Sequence, residues 1–288
     1  MAGQRRQRNN GWGSGASPLL YKNLVIVNAS VESGSIVALD KMTGKEVWRA
    51  GKIGSSWNTP MPVAKTEFNE WCQAGGFEVD KLTERQMATL KSLHALEPIE
   101  LVVSVQGRVL ALDPDTGKEL WQAAGINSYV IPSVVADKGI VYVIGGGNSS
   151  IAIRTGGRGD VTKTHQLWRQ NKGSNASSPV LHEGYLYHSS TSGGVITCQE
   201  AATGKVMYTE RLKPNADVFY SSPVLADGKL YFPSQHHGTF VLASGPEFKL
   251  LAHNVFEDDK SRTNASVAVS DGQLFLRTDQ NLYCIGKK

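Results

Sequence analysis

The sequence predicts an all-β fold: a β-propeller of four-stranded antiparallel blades. Residues 38–48 (ALDKMTGKEVW) and 111–121 (ALDPDTGKELW) are near copies, and an internal repeat constrains architecture before any other signal does. Weaker copies stand at 198–208 (CQEAATGKVMY), 152–168 and 241–251 (VLASGPEFKLL). Trp121 and Trp168 lie 47 residues apart and Trp168 and Tyr208 lie 40 apart, so the period is about 43, enough for four short strands per unit.

Each unit opens on a small residue, proline and an apolar pair, as in ASPLL (16–20), NTPMPV (58–63), SSPVL (177–181) and SSPVL (221–225). This is strand A. A tight turn of the DKG, ADG or SDG type follows, where glycine adopts positive φ at little cost. Strand B comes next (LVIVNA, IVYVIG, KLYFPS, QLFLRT), then strand C (SIVALD, RVLALD). Both are short β-branched or aromatic runs bounded by turn residues, which is the signature of strands. The Thr-Gly-Lys turn, with Gly44, Gly117 and Gly204, leads into strand D, which ends on Trp48, Trp121, Trp168 or Tyr208. One such sheet cannot bury both of its faces, but neighbours stacked radially can cover them. The strand-D aromatics are therefore expected to pack against the following blade.

Six units run from near Ala16 to Lys288, and the sixth stops after its C strand. Residues 1–15 are polar, basic and glycine-rich, and read as a flexible segment ahead of the propeller at 16–288, without the apolar stretch of a signal peptide. The expectation is the C-terminal part of a longer seven- or eight-bladed propeller. Trp48 and Trp121 are 73 residues apart, so the second unit carries an insertion at about 66–98. Leu82, Met87, Leu90, Leu93 and Leu96 recur there at helical spacing, and Thr83 with Gln86 forms a capping box.

The AxDxxTGxxxW signature joined to SSPVxxDGxLY resembles the pyrroloquinoline-quinone-type propeller repeat of the quinoprotein-like family, over residues 12–286 apart from the insertion. The resemblance implies an extracytoplasmic setting. It also implies a choice between non-catalytic members, which bind no quinone, and dehydrogenases that hold quinone with calcium beneath an adjacent cysteine pair, with an Asp as base. Cys72, Cys198 and Cys284 are not adjacent, no CxxCH occurs, and Asp40, Asp113, Asp227 and Asp271 occupy turns. A non-catalytic binding module without cofactor is the expectation, and a degenerate quinone-dependent dehydrogenase is the alternative. Cys198 and Cys284, both on C strands, read as small buried hydrophobes.

Composition excludes other classes. The 288 residues carry a net charge of +4 scattered over turns, so nothing resembles a nucleic-acid stripe. No apolar run reaches membrane-spanning length. His236-His237 points to opposite faces of a strand and finds no third ligand at metal spacing, so no metal site is expected.

In a meander, the D-to-A links and B-to-C turns emerge at one end of the blade, and binding residues concentrate on such varied loops over a rigid scaffold. The candidate binding face is Trp57, Asn58, Tyr129, Asn175, His188, Tyr220, Gln235, His236 and Asn264. Its expected partner is a protein or polymer, bound by a monomer.

Overall fold

A computed structural model describes residues 13–64, 72–73, 75–94 and 99–286. Most of segment 1–15, the ends of the insertion with Leu96, and the Leu93 side chain lie outside the described residues. The described residues form six sheets, each built on an antiparallel meander. Blade 1 comprises β1 (Leu19–Tyr21), β2 (Leu24–Ala29), β3 (Ser35–Asp40) and β4 (Glu46–Ala50). Blade 2 comprises β5 (Met61–Ala64), β6 (Ile99–Val105), β7 (Arg108–Leu112) and β8 (Glu119–Ala124). Blade 3 comprises β9 (Val135–Asp137), β10 (Ile140–Gly145), β11 (Ser149–Arg154) and, after a two-residue strand β12 (Gly159–Asp160), β13 (Gln166–Gln170). Blade 4 runs from β14 (Val180–His182) through β15 (Tyr185–Ser189) and β16 (Val195–Glu200) to β17 (Val206–Arg211). Blade 5 runs from β18 (Val224–Ala226) through β19 (Lys229–Pro233) and β20 (Thr239–Ala243) to β21 (Leu250–Asn254). Blade 6 has three strands, β22 (Ala268–Ser270), β23 (Gln273–Arg277) and β24 (Leu282–Ile285).

Several short elements were not foreseen, among them the one-turn helix Thr162–His165 in the long loop of blade 3. A one-turn helix, Ser30–Ser33, fills the B-to-C link of blade 1. β12 pairs in parallel with β8 and so adds a fifth strand to blade 2 from the long C-to-D loop of blade 3. The insertion lies between β5 and β6 and forms the helix Glu84–His94, whose capping box is present: the Thr83 N–H donates to Gln86 Oε1 at 3.0 Å and the Gln86 N–H to Thr83 Oγ1 at 3.3 Å. Leu90 is its buried contact.

Burial shows how the blades stack. The inner strands β6 and β10 are buried along almost their whole length, because neighbours cover both faces. β2 alternates instead: Leu24, Ile26 and Asn28 are buried while Val25, Val27 and Ala29 are only half-buried. Blade 1 is therefore covered on one face. Cys198 is buried, as expected. Cys284 is exposed, contrary to expectation, because among the described residues blade 6 has three strands and its far side is uncovered.

Two repeated devices hold blade to blade. At the outer edge, Trp48 is paired across the sheet with the small Ala38, and its Nε1–H donates to the Pro114 carbonyl of the next blade's turn at 3.0 Å. Trp168, paired with Ala152, donates in the same way to the Ala201 carbonyl at 2.8 Å. Each indole lies on the turn glycine: a Cβ at Gly204 would stand 2.7 Å from Trp168 Cδ2, and one at Gly117 would overlap the Trp48 ring. At the start of the A strands, the Ser17 N–H donates to Thr59 Oγ1 (3.0 Å), Thr59 to Ser133 Oγ (3.1 Å), Ser133 to Ser178 (3.0 Å), Ser178 to Ser222 (3.0 Å) and Ser222 to Ser266 (2.9 Å). This hydroxyl ladder links all six blades. It recruits the small residue of the opening signature, which sits before proline in four of the six blades and is thereby biased to extended backbone.

Gly44 and Gly204 share φ values of +69° and +73°, but only Gly204 bears an indole. Gly44→Ala should cost about 1–2 kcal/mol, the left-handed penalty alone. Gly204→Ala should cost roughly 2 kcal/mol more through overpacking against Trp168. Urea denaturation of the two variants measures the difference; equal losses would show that the indole contact contributes nothing.

Candidate functional site

The loops at one end of blades 1 to 3 converge on a hollow of about 270 Å³ lined by Ser55, Trp57, Gln106, Ser128 and Tyr129. Trp57 and Tyr129 come from successive D-to-A links and Gln106 from the B-to-C turn of blade 2, so the meander brings both loop types to one mouth. Trp57 is half-buried, its N–H donates to the Val130 carbonyl at 3.3 Å and its Nε1–H to the Gly13 carbonyl at 3.1 Å. Tyr129 is 59% exposed. Among the described residues the lining has aromatic faces, three hydroxyls and an amide, and no charged side chain.

Below this mouth lies a buried polar network that sets the loops. Asn58 is 1% exposed and its Nδ2 donates to the carbonyls of Ser104 (2.6 Å) and Val130 (3.0 Å), tying the first link to blade 2 and to the second link. Asn28 Nδ2 donates to the Asn58 carbonyl at 2.8 Å. The Ser56 hydroxyl donates to the Ser104 carbonyl at 2.7 Å. Asn58 thus stands beneath the hollow as a support, out of reach of a ligand at the mouth.

The other candidates do not join this hollow. Asn175 is exposed, and its backbone N–H donates to Thr191 Oγ1 at 3.2 Å. Its Oδ1 and the Ser128 hydroxyl both crowd Gly146, where a Cβ would meet them at 2.8 and 2.7 Å. Tyr220 is exposed on the link between blades 4 and 5. Gln235 and His236 line a second, smaller hollow of about 60 Å³ with Asp259, Ser261 and Thr278, between blades 5 and 6. Asn264 is tied to Gln235, whose Nε2 donates to its Oδ1 at 2.9 Å. In that junction the Asp259 carboxylate accepts from Asn281 Nδ2 (2.9 Å), Thr278 Oγ1 (2.7 Å) and Tyr283 OH (2.9 Å) as well as Ser261, and these donors hold it well below the usual carboxylate range.

His188 is buried to 1% exposure on β15, with Nε2 3.1 Å from Gln199 Oε1. It is an interior histidine, not a surface one. Burial lowers its pKa to about 4, with the Gln199 hydrogen bond opposing and Lys172 adding to the fall. Sequence reasoning placed Ser128 on the loop face beside Tyr129 but passed over Gln106 and Ser55. Gln106 stands in the two-residue turn Gln106-Gly107 between two apolar runs, and that turn was the available signal. It also passed over Glu100, a fully buried carboxylate whose Oε2 accepts from Trp121 Nε1 (2.7 Å) and the Gly156 N–H (3.0 Å), while Arg158 approaches Oε1 at 3.5 Å.

Radially stacked meanders carrying a loop-built mouth define a β-propeller of the quinoprotein-like repeat type. The family model described as outer membrane protein assembly factor BamB matches residues 5–164, and the chain belongs to that family. Among solved structures, BamB from Moraxella catarrhalis is similar at 13% identity over 93% of this chain and 81% of its own, with a TM-score of 0.48. Quinohemoprotein alcohol dehydrogenase from Comamonas testosteroni is similar at 12% identity over 92% of this chain and 51% of its own, with a TM-score of 0.55, a likeness of fold. Comparison with curated proteins gave no match.

Among the described residues, no three His, Cys, Asp or Glu side chains gather where they could share a metal ion. The cysteines are dispersed: Cys72 in the insertion, Cys198 inside blade 4, Cys284 on the open side of blade 6. No helix among them is long and apolar enough to cross a membrane.

The buried His188 should make stability pH-dependent. Its folded pKa of about 4 lies below the ordinary 6.5, so the unfolded chain takes up a proton that the fold refuses. Stability is full above about pH 6.5 and falls by on the order of 3 kcal/mol as pH drops toward 4. Urea midpoints between pH 4 and 7 should slope for the parent chain and flatten over that window for His188→Gln. An unchanged slope would assign the acid sensitivity to other groups.

Proposed function

We propose that this chain is a non-catalytic propeller segment, an arc of a longer seven- or eight-bladed ring, that binds a protein or polymer in an extracytoplasmic setting through its loop-rich end. The single observation that carries the binding reading is the hollow between Trp57 and Tyr129. An exposed tyrosine and a half-buried tryptophan flank a cavity with hydroxyl and amide donors, held from below by the Asn28–Ser56–Asn58 network. Rigid aromatic anchors with a few placed polar groups are how proteins bind ligands at loop clusters. The family's description, an assembly factor for outer membrane protein, agrees with an extracytoplasmic binding role. The dispersal of the cysteines and the lack of a clustered donor set among the described residues favour this reading over a dehydrogenase.

Isothermal titration of the chain against two probes, extended peptides and soluble polysaccharides, tests the site. Tyr129→Ala and Gln106→Ala should each weaken whichever probe binds, by about tenfold for the tyrosine, with the melting temperature unchanged. A fall in melting temperature with unchanged affinity would make these residues structural and end the site reading.

A further inference from the structure

The hollow between Trp57 and Tyr129 restricts the chemistry of what can fill it. Its polar side chains are Ser55, Gln106, Ser128 and Tyr129. Among the described residues, none of the four spends its side chain on an intramolecular hydrogen bond. Their neighbours Ser56 and Asn58 do, on the Ser104 carbonyl beneath. The polar groups left at the mouth are therefore three hydroxyls and one carboxamide, and each of them can both donate and accept. All are neutral. Arg108, two residues beyond Gln106, is engaged elsewhere: its Nη1 donates to Gln122 Oε1 at 2.8 Å and its Nη2 to the Lys52 carbonyl at 3.3 Å.

The backbone around the hollow is already paired. The Trp57 N–H donates to the Val130 carbonyl, the Gln106 N–H to the Ser55 carbonyl at 3.3 Å, the Gly107 N–H to the Ile126 carbonyl at 2.9 Å and the Gly146 N–H to the Tyr129 carbonyl at 2.8 Å. All five lining residues stand on links or a turn, outside every strand. A peptide that adds itself to a sheet needs an open strand edge with unpaired N–H and C=O groups. Among the described residues, no strand edge lines this hollow. The aromatic walls are specialised too. Trp57 has committed Nε1–H to the Gly13 carbonyl at 3.1 Å, so it offers ring surface alone, whereas Tyr129 offers a ring and a hydroxyl.

The complement of such a surface is an uncharged ligand with hydroxyls that donate and accept and with an apolar face of C–H bonds. A sugar ring has both. Its axial C–H bonds carry partial positive charge and pack on the negative face of an aromatic ring. Its hydroxyls match groups that can play either role. At about 270 Å³ the hollow is smaller than pockets that enclose a whole small molecule, and Gln106 and Tyr129 open to solvent. It suits a unit or two of a chain that continues outside.

We propose that this hollow is a subsite for a neutral glycan, held by stacking on Trp57 and Tyr129 and by hydrogen bonds to Ser55, Gln106 and Ser128. The proposal rests on the reading of the hollow as the binding site and adds the class of ligand. An acidic polymer would meet no counter-ion there, and an extended peptide would find no backbone ladder.

Cellotetraose, maltotetraose and the N-acetylated chitin tetrasaccharide are the probes, titrated calorimetrically against the full chain. Tetragalacturonate is the anionic counterpart, and an uncharged extended peptide is the competing class. At least one neutral tetrasaccharide should bind, with an affinity that changes by less than about twofold from low to high salt, because no charge is there to be screened. Tyr129→Phe keeps the ring and should hold affinity to within about threefold, while Tyr129→Ala should lose about tenfold. Gln106→Ala should weaken binding several-fold. Tighter binding of tetragalacturonate, or binding that collapses with salt, would overturn the assignment to a neutral glycan, as would silence from all three neutral sugars. If the peptide then binds and Tyr129→Ala weakens it, the hollow stands as the binding site and only its ligand class is wrong. If the peptide is silent as well, the reading of the hollow as a binding site fails together with the proposal.

Discussion

The structure depends on one contact, repeated: the aromatic in the middle of a blade's outer strand, which the sequence pattern had placed at the strand's end, seated on the left-handed turn of the next blade. A four-stranded meander has two faces and can bury neither alone. The small residue opposite each aromatic, Ala38, Ala111, Ala152 or Cys198, lets the ring lean across the sheet toward its neighbour. The sheet slips register by one residue directly after each of these pairs, which turns the strand end outward. Glycine at positive φ removes the Cβ that would block the approach. The inner ladder of Ser and Thr hydroxyls fixes the other end, so each interface is clamped at both edges with the apolar core between them.

Where the repeat's sequence decays, the contact is rebuilt from other parts. Blade 3 has replaced its short turn with the loop that carries β12, and Trp121 finds its acceptor in Glu100, which also gathers the Gly156 N–H from that loop. Blade 4 ends on Tyr208, packed edge-on against Phe248 of the next loop at 5.6 Å, while the Tyr187 hydroxyl takes the Gly245 N–H at 2.7 Å. Burial pushes the Tyr187 pKa up to about 12, so it stays a neutral donor and acceptor. Between blades 5 and 6 no outer-strand aromatic remains; Phe256 stacks on Tyr283 at 3.7 Å, and Asp259 collects the donors of the terminal blade.

This explains what could be read from the sequence and what could not. Gly44, Gly117, Gly204 and the strand-D aromatics were legible because each is a local demand repeated at fixed spacing. The fifth strand of blade 2 was hidden because Gly159-Asp160 reads as turn chemistry and its pairing with Trp121 and Gln122 is non-local. Glu100 was hidden as well, although a carboxylate inside IELVVSV is a visible anomaly: a charge in a buried run must find donors. The candidate site divided along the same line. Trp57 and Tyr129 were recognisable as large aromatics on links, whereas the interior positions of Asn58 and His188 depend on partners, Ser104 and Gln199, that only the folded register brings alongside.

Nearest-neighbour stacking also bears on where a binding surface is best placed. In a one-dimensional array the end units have a single interface and open most readily. Among the described residues blade 6 has three strands and leaves Val269, Leu282 and Ile285 exposed, so the small hollow beside it rests on the least supported part of the described fold. The larger hollow stands over blades 1 to 3, where one core packs Ile26 and Trp48 against Leu101 on one face of blade 2 and a second packs Trp121 against Val143 and Ile151 on the other. Binding residues must hold their geometry while unoccupied if the ordering cost is not to fall on the ligand. Trp57 meets that condition through Gly13 and Val130, and the Asn58 carboxamide below it joins the first link to blade 2 and to the second link. The same interlocking that makes the propeller stable thus makes its first mouth the stiffer of the two.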